Sequence, residues 1–167
     1  MSFPFFILCQ FSVIAFALLG GVFLVFSDFI MRALARTSGA GGAEAMQIIN
    51  REVFRSAFMA LFLGMVPVSL IIVVYSALTL SGPIANVTIA AGIIYLVAAF
   101  GVTLVFNVPL NETLDKMDKD TEATRSFWSD TYVPRWTFWN SVRSIACVIS
   151  CGLLLGGLSM TVASHPI

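Results

Sequence analysis

Charge is what this sequence has least of. Its 167 residues carry nine Lys and Arg and nine Asp and Glu, so charged residues make up 11% of the chain while hydrophobic ones make up 59%. A soluble domain carries about 25% charge, and a core built from so short a chain cannot hide this much apolar surface from water. Nothing is charged before Asp28, between Arg55 and Glu112, or after Arg143. The few basic residues are interleaved with acids, which excludes a nucleic-acid-binding surface. Polar residues within the apolar runs (Gln10, Ser69, Tyr75, Tyr95 and Thr103) are scattered. An ion or proton path normally needs charged groups there, so a pump or coupled transporter is disfavoured. The single histidine, His165, argues against a multi-histidine metal site and against bis-histidine haem, and no metal site is expected. Of the three cysteines, Cys147 and Cys151 stand four apart on one face of one helix, a poor geometry for a disulfide, and Cys9 lies in another apolar run.

What is present is long apolar runs. A membrane-spanning helix needs about 20 apolar residues. Phe3 to Phe26 holds one span; Ser56 to Asn111 holds two, divided at Ser81-Gly82-Pro83; Ser144 to about Ala163 holds the last. The first lacks a basic leader and is longer than the core of a signal peptide, so it reads as a retained helix. The fold class is all-α: a four-transmembrane-helix bundle, one integral membrane domain over 1–167, with spans at about 4–27, 56–80, 84–106 and 142–163 and a soluble segment at 107–140. Lys and Arg fall between spans one and two (Arg32, Arg36, Arg51, Arg55) and between spans three and four (Lys116, Lys119, Arg125, Arg135, with Arg143 at the edge). The excess of cytoplasmic Lys and Arg in membrane proteins then puts both segments in the cytoplasm and both termini on the other side.

Between the first two spans, "TSGAGGAEA" reads as a turn, and from about Ala43 an apolar stripe (Met46, Ile49, Val53, Phe54) predicts a helix running straight into span two. Pro67 inside that span predicts a kink. Before span four, Trp128, Tyr132, Trp136 and Asn140 recur every four residues and would share a helical face, with Pro134 bending or interrupting the helix. Gly152 and Gly156 form a small-xxx-small pattern, read first as packing within the chain and second as a face for a homo-oligomer. A loose internal repeat likens the two charged segments, with Asn50 preceding Arg55-Ser56 and Asn140 preceding Arg143-Ser144.

The polar residues that remain converge at one depth. Asn107 and Asn111 are four apart, one above the other on a helical face, with Pro109 between them. Asp28 leaves span one at that level; Asn50 and Arg55 approach span two there, and Asn140 and Arg143 enter span four there. Buried amides and charges cost several kcal/mol unless paired. Two readings follow. They serve one another, as Asp28 with Arg55 or Arg143 and the asparagines as caps, or they line a ligand pocket roofed by the aromatic segment.

At these residues the chain resembles a known family. "FSDFIMRAL", "AMQIIN", "FNVPLNETL" and "WNSVR" behind the Trp–Tyr–Trp stripe are similar to the anthrone-oxygenase-like family of small four-helix membrane proteins, many of them with no assigned role. The likeness covers nearly the whole chain and points to Asp28, Asn50, Asn107, Pro109, Asn111, Trp136, Asn140 and Arg143. It implies oxidation of an anthrone, a fused aromatic polyketide, to an anthraquinone with dioxygen. An anthrone has an acidic C–H whose carbanion reacts with dioxygen without a metal, so the site needs a base, donors for an oxyanion and an aromatic slot. On this expectation Asp28 is the base, Asn107, Asn111 or Asn140 donate, Arg143 offsets the negative charge, and Trp128, Tyr132 and Trp136 stack on the substrate beside Asn50 and Arg55. No cofactor is expected, and the composition leaves haem, flavin and quinone open. The alternative is a non-enzymatic module that binds a lipid, a small apolar or aromatic ligand, or a protein. An enzyme needs an enclosed cavity reaching the amides, whereas a binding module leaves the aromatic stripe exposed.

Overall fold

The computed structural model describes residues 1–164; His165 lies outside them. The described residues are helical almost throughout and contain no strand. Four helices are long and apolar enough to cross a membrane: α1 (Phe3–Leu34), α3 (Ala57–Thr79), α4 (Gly82–Asp115) and α5 (Glu122–Ala163). A shorter helix, α2 (Gly41–Glu52), stands between α1 and α3. Leu18, Val74, Leu78, Val148 and Leu155 all face outward. An all-apolar exterior is stable only in lipid, and this is an integral membrane protein.

Helix α5 packs along α1 on one side and α4 on the other, and α3 closes the bundle against α4 and α1. Small residues set these contacts. A Cβ on Gly20 would lie 3.2 Å from that of Cys147, and one on Gly92 would lie 3.0 Å from the Ser69 carbonyl oxygen. Hydroxyls join helices at the same places: Ser144 Oγ donates to the Gly20 carbonyl (3.0 Å), Ser150 Oγ to Ala91 (2.9 Å) and the Tyr95 hydroxyl to Phe62 (2.6 Å). In hydrocarbon, packing and interhelical hydrogen bonds replace the hydrophobic effect as the source of association. Gly152 and Gly156 take no part, since a Cβ on either meets nothing; Gly157 makes the close approach, against Val87 and Thr88. The expected packing role of the Gly152–Gly156 pattern within the chain is therefore corrected.

The two charged segments are built differently, contrary to the likeness read between them. The first turns through Gly39, whose φ of +59° suits a residue without Cβ, and then forms α2. That helix does not run straight into the membrane. A short 3-10 turn (Val53–Arg55) ends it, Ser56 is extended, and the Ser56 side chain accepts from the Met59 N–H (3.2 Å) to cap α3. In the second segment α4 extends to Asp115 and a short turn leads to α5, capped by Thr121. Gln47 of α2 reaches across to donate to the Leu114 and Met117 carbonyls at 2.7 and 3.0 Å, and Lys119 pairs with Glu44. The hydrogen bond and charge of Glu44 hold the Lys119 ammonium above the usual lysine range.

Neither Pro109 nor Pro134 interrupts its helix. Each is preceded by a π-helical stretch, Thr103–Asn107 and Phe127–Tyr132 respectively. A proline lacks the N–H for the backbone bond and clashes one turn back; widening that turn lets the chain continue.

Candidate site at the charged end of the bundle

The widened turns also aim the aromatic residues. An α-helix has about 3.6 residues per turn, so a strict four-residue repeat drifts around it. The π stretch before Pro134 offsets the drift. Trp128 and Tyr132 stack with ring centroids 5.3 Å apart and planes at 19°, and Tyr132 and Trp136 at 6.3 Å and 18°. The three rings form a buried column with Met31, Ala43, Met46 and Leu114 around it, a second core beyond that of the spanning helices. Gly42 makes the column possible: a Cβ there would collide with the Leu34 carbonyl oxygen and come 2.9 Å from the Trp128 ring.

One asparagine holds the column's polar edges. Asn111 Oδ1 accepts from the Tyr132 hydroxyl (2.8 Å) and from Trp136 Nε1–H (2.9 Å), while Asn50 Nδ2 donates to the Tyr132 oxygen (3.3 Å). One turn deeper, Asn107 Nδ2 donates to the Trp136 carbonyl (3.3 Å). Asn140 Nδ2 donates to the Phe23 carbonyl and to Ser27 Oγ, both at 2.6 Å, where α1 widens into its own π stretch, Phe26–Ile30. The paired amides of α4 and the amide of α5 thus link α1, α2, α4 and α5 over neighbouring turns.

Arg143 lies beneath this network and is 6% exposed. It donates to Asn140 Oδ1 (2.7 Å) and Thr103 Oγ1 (3.2 Å), and its guanidinium carbon sits 4.4 Å from the Phe23 ring centre and 5.4 Å from that of Trp136. Among the described residues no carboxylate pairs with it; the ion pairs there are Arg32–Asp28, Arg51–Asp115, Lys119–Glu44 and Arg125–Glu122, all at the surface. Two buried atoms of this group have no partner, Arg143 Nε and Asn107 Oδ1. Taking a charge out of water costs several kcal/mol, and here hydrogen bonds and two aromatic faces offset only part of it.

Beside Arg143 is a cavity of about 450 Å³, within the range of small-molecule sites. Phe23, Phe58, Phe62, Phe100 and Trp136 supply aromatic walls, and Asn50, Glu52, Ser56, Thr103, Asn111, Asn140 and Arg143 the polar groups. The structure therefore brings together Asn50, Asn111, Trp136, Asn140 and Arg143 on the cavity wall, with Asn107 directly behind. Trp128 and Tyr132 do not line it; they continue the stacked column beyond Trp136.

Two residues singled out in the sequence are placed elsewhere. Asp28 does not reach Arg55 or Arg143. It lies on the exposed side of α1 and pairs with Arg32 one turn on, at 3.2 Å. Arg55 is exposed, does not line the cavity and has no ion pair among those of the described residues. The helix break at Ser56 turns it away. Conversely, Glu52 is the one acidic residue lining the cavity, and it was not singled out. Its signal was faint, since it lies two residues after Asn50, and a helical pattern alone does not turn it to the same side. Thr103 had a clearer signal, being one helical turn before Asn107 on the same face.

A family model described as anthrone oxygenase matches residues 50–153 of the chain, from Asn50 through Asn107, Asn111, Trp136, Asn140 and Arg143. No curated protein and no solved structure matches it.

Proposed function

Because this chain belongs to the anthrone oxygenase family, we propose that the cavity is the reaction site of an oxygenase acting on a small planar aromatic compound with an acidic C–H, of the anthrone type. The observation that carries this reading is the unpaired, buried Arg143 guanidinium in a cavity walled by aromatic rings. Such a site favours a flat molecule that acquires negative charge on oxygen during reaction. The buried position of the Trp–Tyr–Trp column counts against a module that docks partners through an exposed aromatic stripe.

The roles follow from position. Glu52, whose side is open to the charged end of the bundle, takes the C–H proton and passes it to solvent; Asp28, on the outer surface of α1, does not take this role. The electrons left behind spread through the ring system to the carbonyl oxygen. Arg143 and Asn140 supply donors and positive charge for that oxyanion, a form of stabilisation that is large in a site shielded from water. Dioxygen then adds at the carbanion carbon. Loss of water from the hydroperoxide gives a quinone, one oxygen atom staying on carbon and the other leaving in water. The scheme calls for no bound cofactor. The gathering of every Lys and Arg at the charged end supports a cytoplasmic position for that end and for the mouth of the site.

The test is dioxygen uptake with anthrone by the protein in detergent or vesicles, alongside quinone absorbance. Wild type should exceed the spontaneous rate, and Arg143→Gln should lower kcat about 100-fold or more. A wild-type rate equal to that of empty vesicles would overturn the reading. The absorption spectrum of the purified protein checks the cofactor-free part: only tryptophan and tyrosine bands are expected, and a haem, flavin or quinone band would sink it.

A further inference from the structure

The cavity has a side wall that is missing. Helices α3 and α4 are closely packed where Gly92 meets Ser69 and where the Tyr95 hydroxyl donates to Phe62. Toward the charged end they part. Leu63 on α3 and Leu104 on α4 both line the cavity and are both half-exposed, at 50% and 52%. On the charged-end side the cavity is lined by the exposed Glu52 and Phe54, where a proton can leave to water, while α2 and the hydrogen-bonded aromatic column lie across the rest of that end. With a rise of about 1.5 Å per residue, Leu63 lies about 10 Å along α3 from Ser56, and Leu104 is about as far along α4 from Asn111. The gap therefore opens at the depth of the acyl chains, below the polar boundary.

We infer that the site draws its ligand from the bilayer through this opening between α3 and α4, and that its ligand class is a neutral, lipid-dissolved aromatic weak acid that ionises only once inside. This rests on the cavity being the reaction site. The same two features that make the site suit an anion make the route exclude one. Hydrocarbon between Leu63 and Leu104 admits only an uncharged molecule, because an isolated charge there is expensive. Behind the opening, the Arg143 guanidinium, whose Nε–H has no partner, holds the anion once a proton has left. A compound of the same shape with a fixed negative charge would suit Arg143 but not the path to it.

The experiment uses 2-methylanthraquinone as a neutral, unreactive probe, read by quenching of tryptophan emission in phosphatidylcholine vesicles. In Leu63→Cys/Leu104→Cys, a disulfide-containing thiol cross-linker should slow association about tenfold or more, and dithiothreitol should restore it; wild type treated in the same way is the control. Association that is as fast in the bridged protein as in the reduced one would overturn the inference. Wild type gives a second readout that depends on no variant. A lipid-dissolved carbene photolabel should modify Phe62 and Trp136 inside the cavity, and the probe should suppress this. Labelling confined to outward residues such as Leu155 would also overturn it. Turnover is read separately. Gated binding without dioxygen uptake would remove the oxygenase reading and keep the lateral path, while uptake that bridging leaves unaffected would do the reverse.

Discussion

Asn111 shows how one side chain can carry a site. Its single oxygen takes two donors from the aromatic column. Asn111→Ala would leave the Tyr132 hydroxyl and the Trp136 indole N–H without that acceptor in a largely dry place, at about 1–3 kcal/mol for each donor left unsatisfied. Tyr132→Phe removes a donor and its demand together and should cost about 1 kcal/mol. Thermal unfolding of both variants in one detergent should show the larger loss for Asn111→Ala; equal losses would mean that water replaces the asparagine. Asn111 and its neighbour Asn107 were legible from the sequence because an α-helix stacks residues four apart. Which rings they would meet was not, because that depends on α5 lying alongside.

At the scale of elements, irregular turns do the positioning. Three of the four spanning helices widen into π stretches, and the polar network lies at or beside those at Phe26–Ile30, Thr103–Asn107 and Phe127–Tyr132. Such bulges frequently accompany functional sites, and here two of them accommodate a proline. The break before α3 has a different origin. Ser56 both caps α3 and donates to the Val53 carbonyl at 2.6 Å. Ser56→Ala should lower stability by about 1 kcal/mol and, because Glu52 and Ser56 both line the cavity, should reduce anthrone turnover as well. A change in unfolding temperature with no change in turnover would show that the turn does not set the position of Glu52. A continuous helical pattern across 43–57 concealed this break, since the apolar stripe of α2 resumes in α3 without a proline or glycine between them.

For the whole molecule, the distribution of charge marks a membrane protein and predicts a direction. Every charged side chain of the bundle lies at one end, and that end should face the cytoplasm. Lys116→Cys should react with a membrane-impermeant maleimide only after cells are permeabilised, and Ser81→Cys, in the turn at the far end, should react beforehand. The reverse pattern would invert the orientation. The native thiols interfere little, Cys9 and Cys147 being buried and Cys151 partly so.

The sequence by itself determined the solvent, the number of long apolar helices, and the depth at which polar residues gather, because each depends on hydropathy and spacing along one chain. The resemblance in its motifs pointed to the family, which the match over residues 50–153 shows. Only the tertiary structure decided which of those polar residues share a cavity. Asp28, Asn50, Arg55, Asn140 and Arg143 lie at similar depth, but depth says nothing of rotation about a helix axis. Rotation is set by contacts between helices far apart in sequence, such as Asn140 on the Phe23 carbonyl, and by turns that widen or break locally. Those contacts turned Asp28 and Arg55 outward, left Arg143 inside without a carboxylate, and brought Glu52 to the cavity wall.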